Sequence, residues 1–279
     1  MSNARYRTVP GIVISGRCSF FARCRLRIGH CPLIIVYCSL LIDNCSLTLV
    51  TLSIITVRPE ARRWALARMG TVPRQLPGVP GLGFAKLMGS GFDFGLRPNF
   101  QRYGLMARWD SEAAAQVFFA THPLWQAYRQ RAQELWTAYL QPLRAHGHWD
   151  GQNPFAAVES ADEETGPVAV LTRASIRPLR AWSFWRAVPP VSRTVSAAPG
   201  LLAAIGLGEL PVVRQATFSL WESAAQMQQY AYGAREDGRH REVVRRTRQE
   251  RWYSEELFAR FAVLRTEGRW DGRNPLPVG

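Results

Sequence analysis

The sequence predicts an α+β protein made of two tandem, duplicated ferredoxin-like βαββαβ units that pack together as a pseudo-dimeric α/β barrel. Three observations predict this fold: a turn motif that occurs twice, the same order of strand and helix patterns in both halves, and an acidic stretch between them. The length of 279 residues allows two units of ordinary size.

The repeat is defined by four short matches that occur in the same order in each half. They are Arg-Pro at 58 and 177, Pro-Gly-Leu at 80 and 199, Trp-acid-Ser at 109 and 221, and Trp-Asp-Gly-x-Asn-Pro at 149 and 270. Their separations of 119, 119, 112 and 121 residues leave room for only small insertions. We therefore predict one repeat at 47–154 and another at 168–279, joined by an acidic linker at 155–167.

The strand and helix patterns follow the same succession in both copies. Residues 47–57 begin the first copy as a strand, because apolar residues alternate there with Thr51 and Ser53. The second copy is predicted as strand Val168–Ala174, helix 178–188, strands Leu201–Gly208 and Val212–Leu220, a helix from 223 to about 255, and strand Phe258–Arg265. The two sheets are expected to face each other and to leave an apolar pocket between them.

The first 45 residues differ from the rest in composition. All five cysteines lie there and all ten tryptophans lie after residue 46. We predict that 1–45 is an N-terminal extension outside the fold. The apolar stretch 31–57 leaves two alternatives open, a signal anchor and a membrane-anchored interaction protein, although Asp43 and Asn44 interrupt it.

The net charge of +14 suggests an anionic partner, but its distribution argues against nucleic acid. Of the 35 basic residues 34 are arginine, and they are scattered along the chain with no nucleic-acid-binding motif. An anionic membrane surface is the better electrostatic partner. We expect a cytoplasmic protein, with peripheral association with the inner membrane left open.

His240 is the candidate metal ligand. Its helix face is shared by residues at +3, +4 and +7, namely Val243, Val244 and Thr247. An imidazole that faces an apolar cavity is suited to bind haem iron, and Arg245 and Arg246 lie near enough to hold carboxylates. A single histidine on a helix is also typical of a hydrogen-bonded core or rim residue, so both interpretations stand.

Aromatic residues on the first helix of the second copy are the candidate lining of an apolar ligand. Trp182, Phe184 and Trp185 form this cluster, for which a core role is the alternative. No Walker, Rossmann, HExxH or GxSxG motif is present, and no Cys/His spacing suits zinc. No catalytic residue is assigned.

Three segments resemble the spheroidene monooxygenase family: Pro-Gly-Leu-Gly-Phe-Ala-Lys-Leu at 80–87, Phe-Trp-Arg-Ala-Val-Pro-Pro-Val-Ser-Arg at 184–193 and Arg-Trp-Tyr-Ser-Glu-Glu-Leu-Phe at 251–258. The resemblance runs from about 47 to 275. It implies a haem-dependent monooxygenase that inserts oxygen from O2 into an acyclic carotenoid, giving a keto carotenoid, with reduced ferredoxin as electron donor. It also implies that His240 binds haem and that Trp252 joins the substrate-binding aromatics. The alternative is a non-catalytic ferredoxin-like protein that binds an apolar ligand.

Overall fold

The computed structural model describes residues 48–92, 97–156, 166–186, 195, 197–210, 212–232 and 251–276. The predicted extension 1–45, most of the predicted linker and His240 with its two arginines lie outside these ranges. The strands are β1 (Leu49–Val57), β2 (Leu82–Gly91), β3 (Pro98–Trp109), β4 (Ala132–Gly147), β5 (Val168–Ile176), β6 (Leu201–Leu210), β7 (Arg214–Trp221) and β8 (Tyr253–Gly268). The helices are α1 (Arg62–Gln75), α2 (Glu112–Thr121), α3 (Pro123–Arg131) and α4 (Ala224–Tyr232).

The predicted α+β class is confirmed. The eight described strands pair antiparallel and close on themselves in the order β1-β3-β2-β6-β7-β5-β8-β4. Within this order the first half contributes β4-β1-β3-β2 and the second half β8-β5-β7-β6. The halves meet along a long β4–β8 seam, from Trp136 opposite Gly268 to Gly147 opposite Leu257, and a short β2–β6 seam.

The Trp-Asp-Gly-x-Asn-Pro motif makes the same turn at the end of β4 and after β8. Asp150 and Asp271 both have a φ of 53°, and the following glycines are also left-handed. A glutamate of the opposite half holds each turn. Glu255 accepts hydrogen bonds from the backbone N–H groups of residues 150 and 151, and Glu134 accepts them from those of residues 271 and 272, at 2.8–3.0 Å.

Buried side chains from all eight strands fill the barrel interior. They form one core cluster that includes Leu52, Trp136, Trp149, Phe218 and Phe261, each of which is fully buried. The expectation of an apolar pocket between the sheets is therefore wrong, because these large inward side chains occupy that space.

The end of the predicted second helix also needs correction. Residues 253–255 belong to β8 rather than to a helix, since Tyr253 pairs with Ile176 and Glu255 with Ser175. The start of α4 is capped, because the hydroxyl of Ser223 accepts a hydrogen bond from the N–H of Gln226 at 3.3 Å. Across the described ranges, no helix combines the length and hydropathy needed to traverse a bilayer.

Candidate functional site

The outer face of the first half is filled by its own side chains. Ile55, Leu87, Tyr103 and Leu105 project outward from three strands and are buried beneath α1, α2 and α3. Phe118 and Trp125 are among the helix residues that complete this cluster. The packing leaves no room for a ligand on this face.

The outer face of the second half has small residues at the corresponding positions. One cross-strand row runs Gly206, Thr217, Thr172, where the first half has Leu87, Leu105 and Ser53. The next row runs Gly208, Gln215, Ala174 in place of Gly89, Tyr103 and Ile55. We call Thr172, Ala174, Gly206, Gly208 and Thr217 the small-residue face.

Part of the small-residue face is open. Thr172 and Thr217 are exposed, whereas the neighbouring Val168 and Trp221 are buried against Met227 of α4. The row Gly206, Thr217 and Thr172 can receive a flat apolar group, whereas the Gln215 side chain lies against Gly208 in the next row. Surfaces lined mainly by apolar groups are typical of ligand sites.

A groove of about 810 Å³ lies beside this face, where β8 begins and β4 ends. Its described walls are Gly147, His148, Gly151, Arg177, Arg251, Tyr253, Ser254, Glu255 and Glu256. Glu256 pairs with Ala174 of the small-residue face, so the two features adjoin. The groove carries two exposed arginines beside two glutamates, and the arginines suit an anionic group.

The structure brings three of the four predicted aromatics together at the groove. The ring of Phe184 packs edge-on against Trp185, Trp252 and Tyr253, with centroids 5.1, 6.1 and 6.0 Å apart. Trp252 is fully buried and supports this cluster from beneath. Trp182 differs, because 74% of it is exposed and it takes no part in the cluster.

A charged cluster closes the same end of the barrel, and sequence reasoning missed it. Arg173 points inward from β5, is 1% exposed, and forms ion pairs with Glu255, Glu209 and Asp150. Lys86 pairs with Asp150 and, at 3.4 Å, with Glu209. The signal was present in the sequence, because a charged residue stands at an inward position of an otherwise apolar strand.

This cluster controls the ionisation of its acids. Burial alone would raise the pKa of the Asp150 carboxyl, but the Lys86 hydrogen bond and the charges of Arg214 and Arg173 lower it overall. Burial would likewise raise the pKa of Glu255, and the turn N–H groups together with Arg173 lower it. Both carboxylates therefore stay charged at neutral pH.

The described histidines are engaged elsewhere or stand at the surface. The Nδ1 atom of His122 accepts a hydrogen bond from the N–H of Leu124 at the start of α3, and burial lowers its pKa. His146 stacks on Phe258, and the exposed His148 lines the groove. Within the described part of the chain, no group of three His, Cys, Asp or Glu residues is placed to hold a metal ion.

Comparison with known proteins places these features in a family. No family model matches the chain. A spheroidene monooxygenase of Rhodobacter capsulatus is 41% identical over 76% of this chain and 88% of its own length. The spheroidene monooxygenase of Rubrivivax gelatinosus is 43% identical, over 81% of this chain and 86% of its own.

A solved structure of an aldoxime dehydratase shares the fold, with a TM-score of 0.51, 11% identity, and coverage of 79% of this chain and 83% of that one. At this identity the likeness concerns the fold alone. The two close relatives carry the assignment, since each matches this chain over most of its own length. The chain belongs to the spheroidene monooxygenase family.

Proposed function

We propose that this protein is a monooxygenase that acts on an acyclic, spheroidene-like carotenoid and converts it to a keto carotenoid, with haem as cofactor and reduced ferredoxin as electron donor. The names of its relatives support the activity. The structural observation that carries the proposal is the small-residue face, which exists on one half only and adjoins an open groove.

The reaction balances with O2 and an external reductant. In each round one oxygen atom enters a C–H bond, the other leaves as water, and the donor supplies two electrons. Two rounds at the same carbon give a geminal diol, which loses water to form the ketone. A bound haem would supply the activation of O2.

The residues fit a flat macrocycle with carboxylate arms. The row Gly206, Thr217 and Thr172 offers a floor without large side chains, and Arg177 and Arg251 line the adjoining groove. His240 would hold the haem iron and Arg245 and Arg246 would hold its carboxylates; these three residues lie outside the described ranges. Among the described residues, the barrel interior offers no alternative haem site, because buried side chains fill it.

The chain's own residues would orient the substrate. Phe184, Trp185 and Trp252 form a rigid aromatic wall, held by the hydrogen bond from Trp185 Nε1 to the carbonyl of Val212 at 3.0 Å. A long apolar chain packed along this wall would be kept from water and presented end-on, so that one terminus is oxidised. Trp182 remains part of the proposed site only at its outer edge.

We also infer that the halves, 47–154 and 168–279, are tandem copies of one unit. The strand order 4-1-3-2 recurs as 8-5-7-6, and the turn at Asp150 recurs at Asp271. The reciprocal caps by Glu134 and Glu255 support the same inference. On this basis the pseudo-dimeric barrel would be a ferredoxin-like pair fused into one chain.

The decisive experiment is the visible absorption spectrum of the full chain from haem-supplemented cells, oxidised, reduced and with carbon monoxide. We expect a Soret band that is lost in His240→Ala and kept in His146→Ala, which changes an exposed histidine. Thr217→Leu, which restores the side chain present at Leu105, is expected to block haem uptake, whereas Thr217→Ser should not.

Turnover is then measured with an acyclic carotenoid, O2 and reduced ferredoxin, and the product should carry a new keto oxygen by mass. A featureless spectrum from a well-folded protein would contradict the haem proposal. Binding of the carotenoid without turnover would favour the alternative, a non-catalytic ferredoxin-like protein that binds an apolar ligand.

A further inference from the structure

We propose that residues 177–186, with Leu210 and Val212 beside them, form a surface that docks on an anionic lipid bilayer next to the groove. We call this set the basic aromatic surface. The proposal rests on the proposed function in one respect, because it takes the substrate to be a lipophilic molecule that resides in a membrane.

The apolar members of this surface are unusually exposed. Leu179 is 97% exposed, Trp182 74%, Leu210 49% and Val212 39%. The indole N–H of Trp185 donates to the carbonyl of Val212 and so ties the segment to the loop after β6. Apolar groups gathered in this way and left in water mark a binding surface.

The charge of the segment is complementary to an anionic surface. Its ten residues contain three arginines, at 177, 180 and 186, and no acidic residue. All three arginines are exposed, and the guanidinium of Arg186 lies over the Trp182 ring at 5.9 Å. Tryptophan and leucine flanked by arginine is the composition of segments that insert at the headgroup level of acidic membranes.

The first half shows that the fold itself does not require these apolar residues. Its corresponding segment begins with the same Pro-initiated 3-10 turn, at Pro59–Ala61, and continues into α1. At the positions of Leu179 and Trp182 it has Glu60 and Arg63, both exposed. Charged residues therefore occupy these two solvent-facing positions in the first half, whereas the second half has apolar residues there.

The basic aromatic surface is continuous with the groove. Arg177 lines the groove and donates from Nε to the carbonyl of Tyr253, at 3.1 Å, and Tyr253 also packs on Phe184. A bilayer seated on Leu179 and Trp182 would bring lipid to the groove mouth. An acyclic apolar molecule could then enter without crossing water. An acidic protein would engage the arginines but would leave Leu179 and Trp182 unexplained.

The test is hydrogen–deuterium exchange of the full chain with vesicles of phosphatidylglycerol or phosphatidylcholine, and separately with a plant-type ferredoxin. A local readout is needed because residues 31–57 carry an apolar stretch of their own. We expect peptides that cover 177–186 to exchange more slowly with phosphatidylglycerol vesicles only, and peptides that cover the corresponding 58–67 to be unchanged.

The matched variant is Leu179→Glu with Trp182→Arg, which installs the residues of the first half. It should abolish the local protection and weaken the contribution of this surface to vesicle binding by about tenfold or more. Val117→Glu, at a 62% exposed position of α2, is the control and should change neither.

Absence of protection by phosphatidylglycerol, or equal protection in the double variant, would overturn the proposal. Protection by ferredoxin but not by vesicles would also overturn it, in favour of a protein partner. The readout needs no turnover, so its failure is separate from a failure of the proposed function: protection without a Soret band would leave the surface standing and remove the haem oxygenase.

Discussion

Replacing Arg173 with methionine is expected to lower the free energy of unfolding by about 3 kcal/mol. Arg173 is 1% exposed and is shared by three carboxylates, on Glu209, Glu255 and Asp150. Together with Lys86 and Arg214, the cluster has three cations and three anions. Removal of the buried cation leaves an unbalanced negative charge near the barrel interior.

The magnitude follows from burial. Removal of one partner from a fully buried ion pair costs about 3–5 kcal/mol. The carboxylate side chains here keep 12–33% exposure, and Lys86 and Arg214 still attract two of them. The lower end of that range therefore applies. For a domain of this size the melting temperature should fall by roughly 6–12 °C.

The assay is urea denaturation followed by circular dichroism, with the midpoint and slope compared between variants. Arg173→Met with Glu209→Gln restores neutrality and leaves an amide oxygen for Trp149 Nε1, which donates to Glu209 at 2.9 Å. This pair should recover at least half of the loss. Arg129→Met, on the exposed side of α3, should stay within about 0.5 kcal/mol. A similarly small effect for Arg173→Met would refute the reasoning.

Two further predictions concern the same end of the barrel. The lowered pKa values of Asp150 and Glu255 contribute stability that is fully present above their unfolded values of 3.8 and 4.5 and is lost as pH falls through the lower folded values. The urea concentration at the unfolding midpoint should therefore decrease as the pH falls below about 5, and Asp150→Asn should make this decrease shallower. An equally steep decrease in Asp150→Asn would contradict the prediction. Gly147→Ala should lower the free energy of unfolding by about 3 kcal/mol or more, because its Cβ would overlap the carbonyl of Glu256 and residue 147 has a φ of 86°. The Cβ of Gly151→Ala meets no atom within 4 Å, so this variant should lose only about 1 kcal/mol through backbone strain. Thermal melts of the two variants measure the difference. Equal costs at the two glycines would contradict the proposed overlap.

Sequence reasoning predicted most strands because their signal is local. The alternation around Thr51 and Ser53 is sufficient to identify β1, which pairs with β3 from Leu49 to Thr56 and with β4 from Val50 to Val57. The start of β8 was misread because residues 251–255 mix aromatic and acidic side chains without a clear period. Their strand conformation depends on β5, whose partner residues lie about 80 positions earlier in the chain.

The candidate site was harder to predict, because its parts are distant in sequence. Arg173, Glu209 and Asp150 come from three separate segments, and only the closed sheet brings their charges together. The small-residue face, in contrast, was within reach. Comparison of the two copies position by position sets Gly206 against Leu87 and Thr217 against Leu105, and this difference in size is visible without a structure.

The size difference between the outer faces has an energetic consequence. Each leucine replaced by glycine or threonine forgoes about 2 kcal/mol of apolar burial that the first half obtains at the same place. Larger residues at Gly206 and Thr217 would not regain it by themselves, because Leu87 and Leu105 are buried beneath helices whereas Thr217 is exposed. The barrel tolerates the deficit because its filled interior and the β4–β8 seam hold the second half in place. A ligand that buries the small-residue face would restore part of this burial, so the ligand-bound protein should resist unfolding more strongly than the free protein.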